Sequence, residues 1–164
     1  MGGSIGSKFI NEAVWSSLDT LLAKFQIVHL VGKGNINKAY SDKAGYKQFE
    51  FINEQLNDVF AMTDLMISRA GANSISEILA LNIPNILIPL SAAASRGDQI
   101  LNAASYEKQG FSTVLQEEEL TSELLIDTIN KVYKDRDNIV DRMKESKVVD
   151  ANHTIIELIK ELRD

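Results

Sequence analysis

The residues best suited to chemistry in this chain are small ones placed at turns. The run Ser68-Arg69-Ala70-Gly71-Ala72-Asn73-Ser74-Ile75-Ser76-Glu77 joins side chains small enough to let backbone approach a ligand to the start of a helix. The first N–H groups of a helix lack partners within it, and the macrodipole places partial positive charge there. Such a start suits a pyrophosphate. Glu77 can accept hydrogen bonds from ribose hydroxyls, and charge-assisted bonds of that kind contribute about 1.5–3 kcal/mol each. Ser74-x-x-Glu77 also has the spacing of a capping box, with Glu77 folded back on the cap, and on spacing alone the cap is the stronger account. Gly2-Gly3-Ser4-Ile5-Gly6 is a second phosphate-loop candidate that leads into a helix. It does not fit G-x-G-x-x-G, and Gly32-Lys33-Gly34 lacks the upstream glycine of a P-loop. Two such loops in one sheet favour a nucleotide ligand. Asp98-Gln99-Ile100-Leu101-Asn102 opens a further helix. Asp98 there reads as an N-cap, although carboxylate and amide groups also match paired sugar hydroxyls.

Other polar groups have plainer explanations. Arg96-Gly97-Asp98 resembles an adhesion tripeptide only by coincidence. Asp135-Arg136-Asp137 lies in a polar helical stretch and reads as a solvated face rather than a metal pair. Gln116-Glu117-Glu118-Glu119 precedes a helix start, where the dipole accounts for acidic residues. His29, inside an apolar strand, reads as a satisfied core residue. No cysteine and only two histidines leave no thiol chemistry, no disulfide and no histidine-rich metal site, and they suit a cytoplasmic setting. The net charge of -6 argues against a broad nucleic-acid or anionic-membrane surface.

These turns must be held by elements, and the hydrophobic pattern supplies them. At 164 residues, 45% hydrophobic and 24% charged, the chain has the size and core of one domain. No run reaches the roughly 18 apolar residues of a membrane span. Helical spacing from Ser7 to Leu22 is followed by short apolar runs at 27–31, 46–52, 65–68, 85–89 and 111–115. Helices are expected at 56–62, 74–81 and 98–108, and two or three more from Thr121, separated near 135–137 and 147–151. Strand and helix alternate, which predicts a doubly wound parallel α/β domain. In such folds ligands bind beyond the carboxyl ends of the strands, so the turns at 2–7, 32–35, 51–54, 68–77 and 90–102 are the ones to inspect. The glycine-rich start, with no apolar h-region after it, looks like a cut through a longer chain.

Taken in order, these motifs resemble a known family. Gly2-Gly3-Ser4-Ile5-Gly6-Ser7, His29-Leu30-Val31-Gly32-Lys33-Gly34, Ala70 to Glu77, Asn82-Ile83-Pro84 before Ile88-Pro89, and Asp98-Gln99-Ile100-Leu101-Asn102-Ala103 together are similar to the carboxyl-terminal, donor-binding half of the MurG family. The resemblance covers essentially all 164 residues. It implies a Rossmann-like domain, the C-terminal half of a GT-B glycosyltransferase. The first strand before Gly2 and the N-terminal acceptor domain would be absent from this chain. The implied activity is inverting transfer of N-acetylglucosamine from UDP-GlcNAc to undecaprenyl-pyrophosphoryl-MurNAc-pentapeptide, turning lipid I into lipid II for peptidoglycan synthesis. Carried over by motif, Ser4 would meet a donor phosphate and Ile52 would present backbone to the uracil. The run Ala72, Asn73, Ser74, Ile75, Ser76 and Glu77 would line the donor site, with Ala72 to Ser74 on the pyrophosphate and Glu77 on the ribose. Gln99, with Asp98 beside it, would hold the GlcNAc hydroxyls; the family more often has glutamine or histidine in place of Asp98.

No catalytic residue, cofactor or metal is implied for this half. Its partners would be UDP-GlcNAc and the acceptor domain, and through that domain lipid I, with no nucleic acid. The full-length enzyme would sit peripherally on the cytoplasmic face of the membrane, and the fragment would be inactive alone. Two other readings stay open: the donor half of a diacylglycerol glucosyltransferase-like enzyme, and a non-catalytic sugar-nucleotide-binding subunit that needs a partner.

Overall fold

Ser7 starts the first helix because its hydroxyl accepts a hydrogen bond from the Ile10 N–H at 3.3 Å, satisfying one of the unpaired donors of the first turn. The computed structural model describes residues 6–95 and 97–146. In chain order these form α1 (Lys8–Leu21), β1 (Ile27–Leu30), β2 (Tyr46–Phe49), α2 (Leu56–Ala61), β3 (Met66–Ser68), α3 (Ala72–Ala80), β4 (Asn85–Leu87), α4 (Asp98–Lys108), β5 (Ser112–Val114) and α5 (Ser122–Glu145). Short 3-10 turns lie at Lys38–Tyr40 and Glu117–Glu119.

All strand pairs are parallel, as the alternation of strand and helix predicts. Strands β3, β4 and β5 form one sheet with β4 in the middle, while β1 and β2 form a second. The central strand is buried along its whole length. Its pleat sends Ile86 and Ile88 to one side and Leu87 to the other. Ile86 and Ile88 pack with α1 residues Val14 and Leu18 and α5 residues Leu125 and Val132. Leu87 packs with Ile75 and Ile78 of α3 and Ala103 of α4. Helices thus cover both faces, the doubly wound arrangement. Between β1 and β3 lies a cavity of about 730 Å³, lined by Ile10, Val14, Val28, Leu30, Ile67 and Ile129 among others.

Two expected elements differ. Helix α5 runs unbroken through Asp135-Arg136-Asp137, where a separation was expected. That stretch contains no glycine or proline. Asn138 and Arg142 both donate hydrogen bonds to the Asp135 carboxylate and bridge the turns. These contacts, Asn138 first, hold the Asp135 carboxyl below its usual range. The expected break at 147–151 lies outside the described residues. Strand β2 ends at Phe49 rather than at residue 52. Its last rung is the bond from the Val31 N–H to the Phe49 carbonyl at 2.9 Å. Gly32, at φ 87°, then turns the neighbouring chain away and leaves nothing for residues 50–52 to pair with.

Candidate functional site

The turns at the carboxyl ends of the strands are tied to one another by side chains. The Glu50 carboxylate accepts the Gly34 N–H at 2.9 Å, linking the segments after β1 and β2. Asn102 donates from Nδ2 to the Ala70 carbonyl at 3.3 Å. That bond sets the first turns of α4 beside the turn that opens α3. Ala70 is itself fully buried against the core, so the turn is anchored from beneath.

Helix α3 begins at Ala72, three residues before the first helical position that a Ser74 cap would give. Gly71, extended at φ -69° and ψ 140°, is the N-cap, and among the described residues no side-chain cap bond is made. Ser74 is therefore inside the helix, and the capping-box reading of Ser74 and Glu77 is overturned. The physical reason is tertiary: buried Ala70 and the Asn102 bond fix the chain direction, so the helix starts without a side-chain cap. Ala72, Asn73, Ser76 and Glu77 are exposed, and Ser74 is half-buried. Asn73 and Glu77, one turn apart, share the outward face. Ile75 turns its side chain into the core at 2% exposure, and its N–H donates to the Gly71 carbonyl at 3.0 Å.

At α4 the N-cap is Gly97, at φ 85°, again without a side-chain bond. Asp98 is the first helical residue and is exposed, so its reading as the N-cap is also overturned. The cap position needs a left-handed backbone, which glycine adopts without strain. Gln99 is half-buried, and its Oε1 accepts the Leu90 N–H at 3.2 Å. With that oxygen committed to the loop, Gln99 can offer a ligand donors. Ile52 stands half-buried just beyond β2. Ser4, with Gly2 and Gly3, lies outside the described residues; of that loop the structure describes Gly6 and Ser7.

Two buried networks beneath the turns were not legible from spacing. Arg69, 8% exposed, donates to the carbonyls of Ile88 (3.2 Å) and Pro89 (3.1 Å) and to the Ser7 hydroxyl (2.6 Å). It also forms an ion pair with Glu117, which is 7% exposed. Glu117 is thus a buried partner rather than one more acidic residue near a helix start. Only the oddity of an arginine between an apolar strand and a small-residue turn hinted at this. The second network centres on His29. Its Nε2 lies 3.0 Å from Asn11 Oδ1 and its Nδ1 lies 2.9 Å from the Tyr46 hydroxyl, which also receives Trp15 Nε1 at 2.9 Å. Asn11 Oδ1 can only accept, so the proton sits on Nε2 and Tyr46 donates to Nδ1. Asn11 Nδ2 donates in turn to the Val31 carbonyl at 3.0 Å. Burial pushes the His29 pKa down to about 3, which keeps the ring neutral, and burial also raises the Tyr46 phenol. His29 is the satisfied core residue that its apolar strand suggested.

Among the described residues no three His, Cys, Asp or Glu side chains converge as a metal site would require. No described helix is long and apolar enough to cross a membrane.

Residues 1–159 match the model of the glycosyltransferase family 28 C-terminal domain. The chain is 52% identical over 160 residues to a UDP-N-acetylglucosamine–N-acetylmuramyl-(pentapeptide) pyrophosphoryl-undecaprenol N-acetylglucosamine transferase of Clostridium botulinum, covering 98% of this chain and 45% of the relative. A transferase of the same name from Lachnoclostridium phytofermentans is 52% identical over 163 residues, 99% of this chain and 46% of that protein. The chain therefore spans about half the length of these curated relatives. Among solved structures, Acinetobacter baumannii MurG superposes with a TM-score of 0.77 at 24% identity, over 98% of this chain and 48% of that one. A glycotransferase of kitacinnamycin superposes with a TM-score of 0.78 at 17% identity, over 98% and 41%. These two likenesses bear on the fold, which is that of GT-B glycosyltransferases.

Proposed function

We propose that this chain, which belongs to the glycosyltransferase family 28 C-terminal domains, is the UDP-GlcNAc-binding half of an inverting transferase. That enzyme would add N-acetylglucosamine to undecaprenyl-pyrophosphoryl-MurNAc-pentapeptide. The observation that carries this reading is the pair of helix starts at α3 and α4, neither capped by a side chain and held together by Asn102. The N–H groups of Ala72, Asn73 and Ser74 would meet the donor pyrophosphate, with the Ser4 loop on its other side. Glu77, outward on α3, would accept the ribose hydroxyls, and Ile52 would border the uracil. Asp98 and the Gln99 amide would hold the sugar hydroxyls. Ile75 and Ser76 would serve the same wall, Ile75 by fixing the helix in the core.

Displacement at the anomeric carbon by the MurNAc 4-hydroxyl transfers negative charge to the departing β-phosphate. Preorganised N–H donors at the α3 start would stabilise that charge as it develops. The general base and the lipid acceptor would belong to the amino-terminal domain, the partner this half needs for transfer. The longer enzyme would work peripherally at the cytoplasmic membrane face.

Calorimetric titration with UDP-GlcNAc tests the proposal. Glu77→Ala is expected to weaken binding by on the order of 10–100-fold, through loss of charge-assisted ribose bonds. Unchanged affinity would remove Glu77 from the site. Displacement of UDP-GlcNAc by stoichiometric UDP-glucose would favour the glucosyltransferase alternative, and sustained transfer to a lipid I analogue by this chain alone would overturn the half-enzyme reading.

A further inference from the structure

We propose that Arg69 is a positioning residue for the donor site, setting the α1 start against the turns that open α3 and α4; this rests on the donor-site reading above. A buried arginine needs a reason. Desolvating an ion pair often costs more than it returns, and apolar side chains of similar volume commonly stabilise as well or better. Arg69 and Glu117 are therefore weakly explained as a source of stability. What the guanidinium does instead is join chain segments that are far apart in sequence. One edge reaches the Ser7 hydroxyl at 2.6 Å, and the other meets the carbonyls of Ile88 and Pro89 and the Glu117 carboxylate. A planar fork of donors holds such partners at fixed angles, which a lysine ammonium does not.

Each partner leads to a part of the ligand mouth. Ser7 is the N-cap of α1, and the oxygen that receives Arg69 also receives the Ile10 N–H. Ile88 and Pro89 run directly into Leu90, whose N–H holds Gln99. Arg69 itself precedes Ala70, which binds Asn102, and Gly71, which caps α3. The turn 69–71 is thus the common junction of three helix starts. Glu117 neutralises the guanidinium, so its contribution is geometric rather than that of a counter-ion to phosphate.

The test is calorimetric titration of the chain with UDP, in wild type, Arg69→Lys, Ser7→Ala and the double variant, each held well below its own unfolding temperature. Hydrogen exchange of the ligand-free proteins accompanies it. Arg69→Lys keeps the charge and loses the fork, and at least a 10-fold weaker UDP affinity is expected. Ser7→Ala removes only the α1 arm and is expected to weaken UDP several-fold. The double variant should bind no more weakly than Arg69→Lys, because both cut one tie. Exchange should rise at the first turn of α1 and at Leu90 in Arg69→Lys. Variants that unfold at lower temperature yet bind UDP as wild type does would overturn the proposal and leave Arg69 a purely structural group. If Arg69→Lys fails to fold, wild-type affinity in Ser7→Ala has the same force. A wild-type chain that takes no UDP would overturn the donor-site reading instead. Exchange then decides the tie alone, and unchanged protection in Arg69→Lys would refute it.

Discussion

Replacing Gly6 with alanine is expected to destabilise the domain by about 2–5 kcal/mol, from left-handed backbone strain of about 1–2 kcal/mol plus the cost of forcing a methyl into filled space. Gly6 has φ 81°, and a Cβ built there would meet the Val31 carbonyl oxygen at 2.0 Å and the Asn35 amide at 2.9 Å. Neither neighbour can retreat cheaply. The same carbonyl accepts Nδ2 of Asn11 and Nδ2 of Asn35, each at 3.0 Å, so moving it strips two further bonds. Gly34 provides the control, because it has φ 76° with nothing within 4 Å of its would-be Cβ. Gly34→Ala should cost only the backbone part. Denaturant unfolding of both variants measures the difference, and equal losses would show that close approach to Val31 is not what requires glycine at position 6.

Acidification should destabilise the protein through His29. A histidine whose folded pKa is depressed binds fewer protons folded than unfolded, so stability rises with pH between the two values. It is fully present above the unfolded pKa of 6.5 and falls as the pH drops toward about 3. At about 1.36 kcal/mol per pH unit, the loss should reach about 2 kcal/mol at pH 5 and approach about 5 kcal/mol near pH 3. The structural cause is specific. Protonating Nδ1 turns an acceptor into a donor, and the Tyr46 hydroxyl that bonded it must find a new place for its own proton. His29→Gln should flatten the dependence of stability between pH 7 and 5, where most carboxylates have yet to titrate. The only other histidine is His153. An unchanged slope in the variant would assign the acid sensitivity elsewhere.

Element identity was largely legible because the signals are local. Apolar residues at helical spacing marked α1, and β-branched runs between turns marked the strands. Where boundaries slipped, a neighbouring strand or side-chain bonds within a helix were responsible. Strand β2 stops at Phe49 because its neighbour turns away at Gly32, and α5 continues past 135–137 because Asn138 and Arg142 bridge Asp135. The candidate site shows the same division. Ser74-x-x-Glu77 and Asp98 both carry good local capping chemistry, yet glycines cap both helices. A cap is decided by where the chain is anchored, and Ala70, buried in the cluster that holds Leu87 and Ala103 and bonded by Asn102, anchors α3 earlier.

By itself the amino-acid sequence determined the α/β class and the family, because periodicity, glycine placement and motif order are properties of neighbouring residues. Only the tertiary structure decided which side chains bind the turns into one mouth. Arg69 with Glu117, Asn102 with Ala70, and His29 with Asn11, Tyr46 and Trp15 are partners across long stretches of chain. Their pairing is set by packing two helical layers on a parallel sheet, and no spacing along the chain encodes which buried donor will face which acceptor.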